Sequence, residues 1–180
     1  MPKYVALLRG INVGRHNRVA MADLRELLIG LGYSDVRTHL QSGNAIFTSG
    51  AQKPAKLALE IEKAILDKLG LKIRCLVWSA HELRAVLTGN PLQTVAIDGS
   101  KMLALFLLGP LDSELLAVHK PMALARDHIR VGQRVVYQWC PDGILAAPNV
   151  GAFIEKNFKV AVTARNWNTV ARLAELISEP

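Results

Sequence analysis

Cysteine is scarce in this chain of 180 residues: only Cys75 and Cys140 are present. Two cysteines exclude a disulfide framework and any paired-cysteine metal motif. His16, His39, His81, His119 and His128 are scattered, with no two at helical i, i+4 spacing, so no metal site is expected. Long apolar runs are missing too. No stretch approaches the roughly 18 uncharged apolar residues of a membrane helix. The opening Met1-Pro2-Lys3-Tyr4 goes straight into strand-like sequence, without the basic, apolar and small-residue order of a secretory leader. The expectation is a cytoplasmic protein with no membrane partner, whose reducing surroundings disfavour a disulfide. Cys75 reads as a small core residue, whereas Cys140, in the turn Cys140-Pro141-Asp142-Gly143, reads as the more accessible thiol.

Several catalytic signatures are absent as well. There is no Gly-x-x-x-x-Gly-Lys-Ser/Thr phosphate loop, no Gly-x-Gly-x-x-Gly fingerprint and no Gly-x-Ser-x-Gly elbow. No cofactor is therefore expected. Ser42 with His39 is the best nucleophile-base pair, but no carboxylate stands nearby to orient the imidazole. A turn serine and a solvent-facing histidine explain the pair more simply. Aromatic residues make up 6% of the chain. Only Phe47 and Tyr137 on the two hairpins could imitate the base-stacking rings of an RNA-recognition motif, and Phe47, Trp78 and Trp139 are better assigned to packing.

What remains is an apolar, basic chain. Hydrophobic residues account for 51% and charged ones for 21%, enough apolar material for a sizeable core. The net charge of +7 invites a nucleic-acid partner. The excess is thinly spread, with 13 Lys and Arg against 8 Asp and Glu in residues 1–98, and 9 against 7 in residues 99–180. Nucleic acid is therefore the disfavoured partner.

The chain reads in two similar halves. Tyr4 to Arg9 predicts a strand, and Met21 to Leu31 a helix with Leu24, Leu27, Leu28 and Leu31 on one face and Gly32 ending it. Val36 to Gln41 and Ala45 to Thr48 predict a hairpin around Ser42-Gly43-Asn44. A helix over 55–69, a strand over 72–78 and a helix opened by the capping box Ser79-x-x-Glu82 complete the first half. The second half repeats the order: strand 102–108, helix 112–119, strands 128–131 and 134–139, helix 150–158, strand 159–162 and helix 167–177. This is an α+β chain of two tandem ferredoxin-like (βαββαβ) subdomains, 1–92 and 101–180, each with an added C-terminal helix, joined by 93–100. The repeat lies in element order, not in residue identity. The first strands of both halves are continuously apolar rather than alternating, so both faces of each sheet should be covered. The added helices, the other subdomain or a second copy of the chain are the candidate covers.

The polar residues worth following cluster in three stretches. Val5 to Leu8 runs into Arg9-Gly10-Ile11-Asn12-Val13-Gly14-Arg15, where two glycines free the backbone beside guanidinium and amide donors. Gln41-Ser42-Gly43-Asn44 and Arg165-Asn166-Trp167-Asn168 supply further amides and an arginine. Two readings stand side by side. Arg9, Asn12, Arg15, Gln41, Asn44, Arg165, Asn166 and Asn168 could gather around a polar ligand. Equally, Gly10 and Gly14 could simply turn the chain, Gly43 and Asn44 a hairpin, and Asn166 cap a helix.

Leu8 to Gly14, Met21-Ala22-Asp23-Leu24-Arg25, Asp35-Val36-Arg37-Thr38, Gln41 to Asn44 and Thr163 to Val170, in this order, resemble the bacterial family known as domain of unknown function 1697. The resemblance runs over nearly the whole chain and implies a tandem α+β protein, without an activity, substrate or cofactor. Members of that family often carry glycine-lysine after the position of Gly14, where this chain has Arg15-His16. They often carry serine-lysine-leucine where it has Leu145-Ala146-Ala147-Pro148. The functional expectation is a binding module for a small anionic or polar ligand. The alternatives are a weak nucleic-acid binder through distributed charge, or an enzyme without a recognisable motif.

Overall fold

The computed structural model describes residues 1–178. It is a mixed α+β chain with two four-stranded antiparallel sheets. By packing it divides into two compact units, one from Met1–Arg84 with the segment starting at Leu173, the other Ala85–Arg172.

The first unit runs β1 (Lys3–Leu8), α1 (Met21–Gly30), β2 (Ser34–His39), β3 (Asn44–Thr48), α2 (Pro54–Leu69) and β4 (Cys75–Ser79), and α3 (Ala80–Thr88) follows. Its strands lie in the order β2-β3-β1-β4. Pro54 sits in the first turn of α2, and Gly70, at φ 66°, ends it in the left-handed conformation with its N–H on Leu66 O. Leu57, Ile61 and Ile65 on the apolar side of α2 are wholly buried. Each contributes about 1.5–3 kcal/mol relative to exposure, more than intrinsic helix propensity supplies. The capping box forms as its spacing requires: Ser79 N–H and hydroxyl donate to Glu82 Oε2, and Glu82 N–H donates to Ser79 Oγ.

Tyr4, Ala6 and Leu8 face the helices and join the core with Leu24, Leu28 and Phe47. Phe47 is stacked between Tyr33 (centroids 4.6 Å) and Tyr4 (5.7 Å), which accounts for its burial as a packing residue. The opposite face is buried as well: Val5, Leu7, Ile46, Leu76 and Trp78 are all at most 4% exposed. A continuous apolar β1 is therefore covered on both faces within one chain.

The second unit contains β5 (Met102–Leu107), α4 (Ser113–His119), a 3-10 turn (Pro121–Leu124), β6 (Ile129–Val131), β7 (Val135–Trp139), α5 (Val150–Phe158) and β8 (Val162–Asn166), followed by α6 (Trp167–Ser178). The order β6-β7-β5-β8 matches that of the first sheet position for position. The division between units falls within α3 and within α6. Leu105, Leu107, Val136, Ile154 and Phe158 form the helix-side core, while Met102, Ala104 and Phe106, on the other face, are equally buried.

Several expectations need correction. The fourth strand starts at Cys75, not Lys72, because its partner β1 ends at Leu8 and pairs Leu8 with Cys75. Beyond that only Arg9 N–H on Arg74 O continues. The eighth strand is Val162–Asn166 rather than 159–162, because Lys159 at φ 57° is the left-handed exit of α5. Cys140 is fully buried rather than accessible, and burial pushes its thiol pKa up.

Tyr137, on β7, is buried and donates its hydroxyl to Val86 O at 2.8 Å. Burial pushes its pKa up to about 12 from the usual 10. The fold thus favours the protonated phenol, and that stability is complete below pH 10 and lost as pH rises through the folded value. Denaturation measured from about pH 9 to 12 should lose stability more steeply in the wild type than in Tyr137→Phe. Parallel curves would contradict this.

Candidate functional site

The chain leaves the first sheet after Leu8 and returns as α1 at Met21. Two apolar residues pin this excursion to the core, Ile11 at 2% and Val19 at 1% exposure. Between them the backbone turns through left-handed residues at Asn12 (φ 55°), Gly14 (62°) and Asn17 (50°), after Gly10 (65°). Asn12 and Asn17 occupy a conformation that asparagine tolerates better than most side chains.

Asn12 is the brace. Its Oδ1 accepts from Val19 N–H at 2.9 Å, and its Nδ2 donates to Val19 O at 2.9 Å and to Gln41 O at 2.7 Å. Asn12 N–H donates to Asn17 O, and Asn17 Nδ2 donates to Gly10 O at 3.3 Å. One amide side chain therefore ties the loop's exit to its entry and to the β2–β3 turn. Both Nδ2 hydrogens are spent on carbonyls.

That turn is Leu40 to Gly43, not Ser42 to Asn44, since His39 pairs with Asn44 across the ladder. Leu40 (φ 60°) and Gly43 (φ 82°) carry its left-handed positions. Leu8 N–H donates to Gly43 O at 2.8 Å. A Cβ on Gly43 would lie 2.6 Å from Ile11 Cδ1 and 2.9 Å from Leu8 Cβ. The glycine is required by that close approach as well as by its φ. Asn44 is fully buried and donates its Nδ2 to His39 O (2.8 Å) and Ser42 Oγ (3.0 Å). The Ser42 hydroxyl is thereby part of the turn.

An open depression of about 340 Å³, within the range of small-ligand sites, is lined by Asn12, Arg18, Val19, Ala20 and Gln41. Ala20 is the N-cap of α1 and offers no side-chain cap. The first amides of the helix have no side-chain cap, and Asp23 in the first turn answers part of the helix dipole. Arg15, His16 and Arg18 are exposed, and among the described residues none of the three is hydrogen-bonded or ion-paired. Arg9, at the root of the loop, is half-buried.

The eight sequence candidates do not all fall in one unit. Arg9, Asn12, Arg15, Gln41 and Asn44 belong to the first, whereas Arg165, Asn166 and Asn168 lie in the second. Of the first group, the depression brings together Asn12 and Gln41. In the second unit, Arg165 is buried on β8 and donates Nη1 to Ala164 O. Asn166 caps α6, accepting from Thr169 N–H and Oγ1 at 2.9 Å each. Asn168 stands against Gly99, whose carbonyl accepts from Trp167 N–H. Among the described residues no group of three His, Cys, Asp or Glu could hold a metal ion, and no helix is long and apolar enough to cross a membrane.

Arg18, Val19 and Ala20 are not among the eight sequence candidates. The available signal was the missing cap, an alanine where Ser, Thr, Asp or Asn would normally open the helix.

The conserved bacterial protein SP0830 from Streptococcus pneumoniae has a similar solved structure. Its TM-score is 0.74 at 24% sequence identity, covering 98% of this chain and 99% of that one. This likeness is one of fold. No curated protein matches the chain. The model of a family described as a protein of unknown function, DUF1697, matches residues 1–137, which span β1 to β7 and include the braced loop, and the chain belongs to that family.

Proposed function

We propose that this chain is a cytoplasmic binding module for a small anionic ligand, taken at the depression beside the Asn12-braced loop. We read each half, 1–92 and 101–180 with 93–100 between them, as a ferredoxin-like subdomain followed by its added helix, on the strength of identical strand order and the same succession of strands and α-helices. The observation that carries the functional reading is the meeting of Arg18 with the uncapped start of α1 in one depression. A phosphate or carboxylate there would accept from helix amides and from a guanidinium fork. Asn12 serves this by holding the backbone, so that little loop entropy is lost on binding. Arg15, just before Arg18 on the same loop, adds a second unpaired guanidinium.

A thermal-shift series with inorganic phosphate, citrate and ATP tests it. Stabilisation should grow with ligand concentration, reaching about 2.7 kcal/mol at one hundred times the dissociation constant. Arg18→Ser should weaken binding roughly ten-fold, as expected for one charge-assisted contact, and Arg15→Ser by less. Absence of any shift, or a shift unchanged in Arg18→Ser, counts against the site.

A further inference from the structure

The second unit carries a larger hollow that is unrelated to the braced loop. It measures about 800 Å³, and all its lining comes from the stretch between Leu116 and Val131. The lining is mostly apolar, with Leu116, Met122 and Val131 contributing hydrocarbon and thioether surface. Met122 is 44% exposed, so its thioether is open to a ligand in the hollow. Methionine is also suited to lining adaptable binding surfaces.

The charge around this hollow has one predominant sign. Lys120, Arg126 and Arg130 line it against the single carboxylate of Asp127. Lys120 is the left-handed C-cap of α4, so part of its charge answers the helix's own terminal carbonyls. The arginines are a different matter. Arg130 Nη1 donates to Arg126 O at 2.7 Å and to Ile129 O at 2.8 Å, which fixes the guanidinium and leaves its other donors unspent. Arg126 and Asp127 are exposed, and among the described residues neither forms a side-chain hydrogen bond or ion pair. The site therefore combines an apolar wall, one immobilised guanidinium and one free guanidinium.

We infer that this hollow binds a small amphipathic organic anion, with its carboxylate or phosphate on Arg126 and Arg130 and its hydrocarbon body against Leu116, Met122 and Val131. The volume lies within the range that encloses small organic ligands. A neutral hydrocarbon would leave the arginines unanswered, and a cation would be repelled by them. A fully polar anion would forgo the apolar wall.

The test is calorimetric titration of the full chain with octyl phosphate below its micellar concentration, beside octan-1-ol and octyltrimethylammonium. Octyl phosphate should bind saturably with one-to-one stoichiometry, at least ten-fold tighter than either control. Arg126→Gln should weaken it about ten-fold, the size of one charge-assisted contact. Ala123→Phe, an exposed lining position in the 3-10 turn, should fill the hollow and abolish binding while circular dichroism stays native. The Arg15→Ser, Arg18→Ser double variant should bind octyl phosphate as the wild type does, which separates this site from the loop. No saturable binding, equal affinity for the three headgroups, or indifference to both Arg126→Gln and Ala123→Phe would overturn the inference. So would loss of binding in the loop variant, or affinity confined to anionic phospholipid vesicles.

Discussion

Replacing Gly43 with valine is expected to destabilise the first unit by about 2–5 kcal/mol, the sum of a left-handed backbone penalty and an overpacking penalty. Both causes are present at this residue. Gly43 sits at φ 82°, and its built Cβ would lie 2.6–2.9 Å from Ile11 and Leu8. Ile11 and Leu8 are core residues at 2% and 0% exposure, so neither can swing away into solvent. Gly14 provides the control, since it shares the positive φ (62°) but has nothing within 4 Å of its Cβ position. Gly14→Ala should therefore cost only the backbone part, about 1–2 kcal/mol. In urea denaturation the midpoints should fall in the order wild type, Gly14→Ala, Gly43→Ala, Gly43→Val. Equal midpoints for the Gly14 and Gly43 variants would show that the close approach does not exist.

Asn12→Ala is the second large effect, expected at about 2–4 kcal/mol. It removes three hydrogen bonds at once and leaves Val19 N–H, Val19 O and Gln41 O without their partner. Val19 is buried, so water replaces its two bonds poorly, whereas the exposed bond to Gln41 O is readily taken over by water. Alanine also suits φ 55° less well than asparagine. Asn12→Gly relieves that backbone strain but not the lost bonds, and should lie between wild type and Asn12→Ala. Asn12→Asp keeps an acceptor for Val19 N–H but turns a carboxylate oxygen towards two carbonyls, and should be no better than alanine. The functional consequence follows from the brace: the loop loosens, exchange of the Val19 amide speeds up, and anion binding at Arg18 weakens though Arg18 itself is intact. An Asn12→Ala protein with wild-type stability and a slow Val19 amide would show that the loop is held by other means.

Much of the fold was readable because local signals agreed with each other. The uninterrupted apolar run Val5 to Leu8 told of a strand covered on both faces, and Val5 and Leu7 are indeed buried opposite the helices. Gly70, Ser79 with Glu82, and Asn166 act at the helix ends that their chemistry suggested. Boundaries decided by long-range pairing were not readable. Nothing in Lys72-Ile73-Arg74 says that β1 will have ended, and nothing local says that β8 will follow Lys159 only after a left-handed exit. The candidate loop was legible as a basic, glycine-punctuated segment. The work of its asparagine was not, because Gln41 lies twenty-nine residues away in sequence. An amide that completes the backbone and an amide that waits for a ligand look the same in a sequence. They differ only in whether their hydrogens are already spent.

The most direct measurement is a nitrogen-15 correlation spectrum of the chain titrated with inorganic phosphate at low salt. A site at the loop and the start of α1 predicts saturable shifts confined to the amides of residues 9–23 and 41–43, absent in Arg18→Ser. Shifts spread evenly over every exposed lysine and arginine, or none at all, would contradict it.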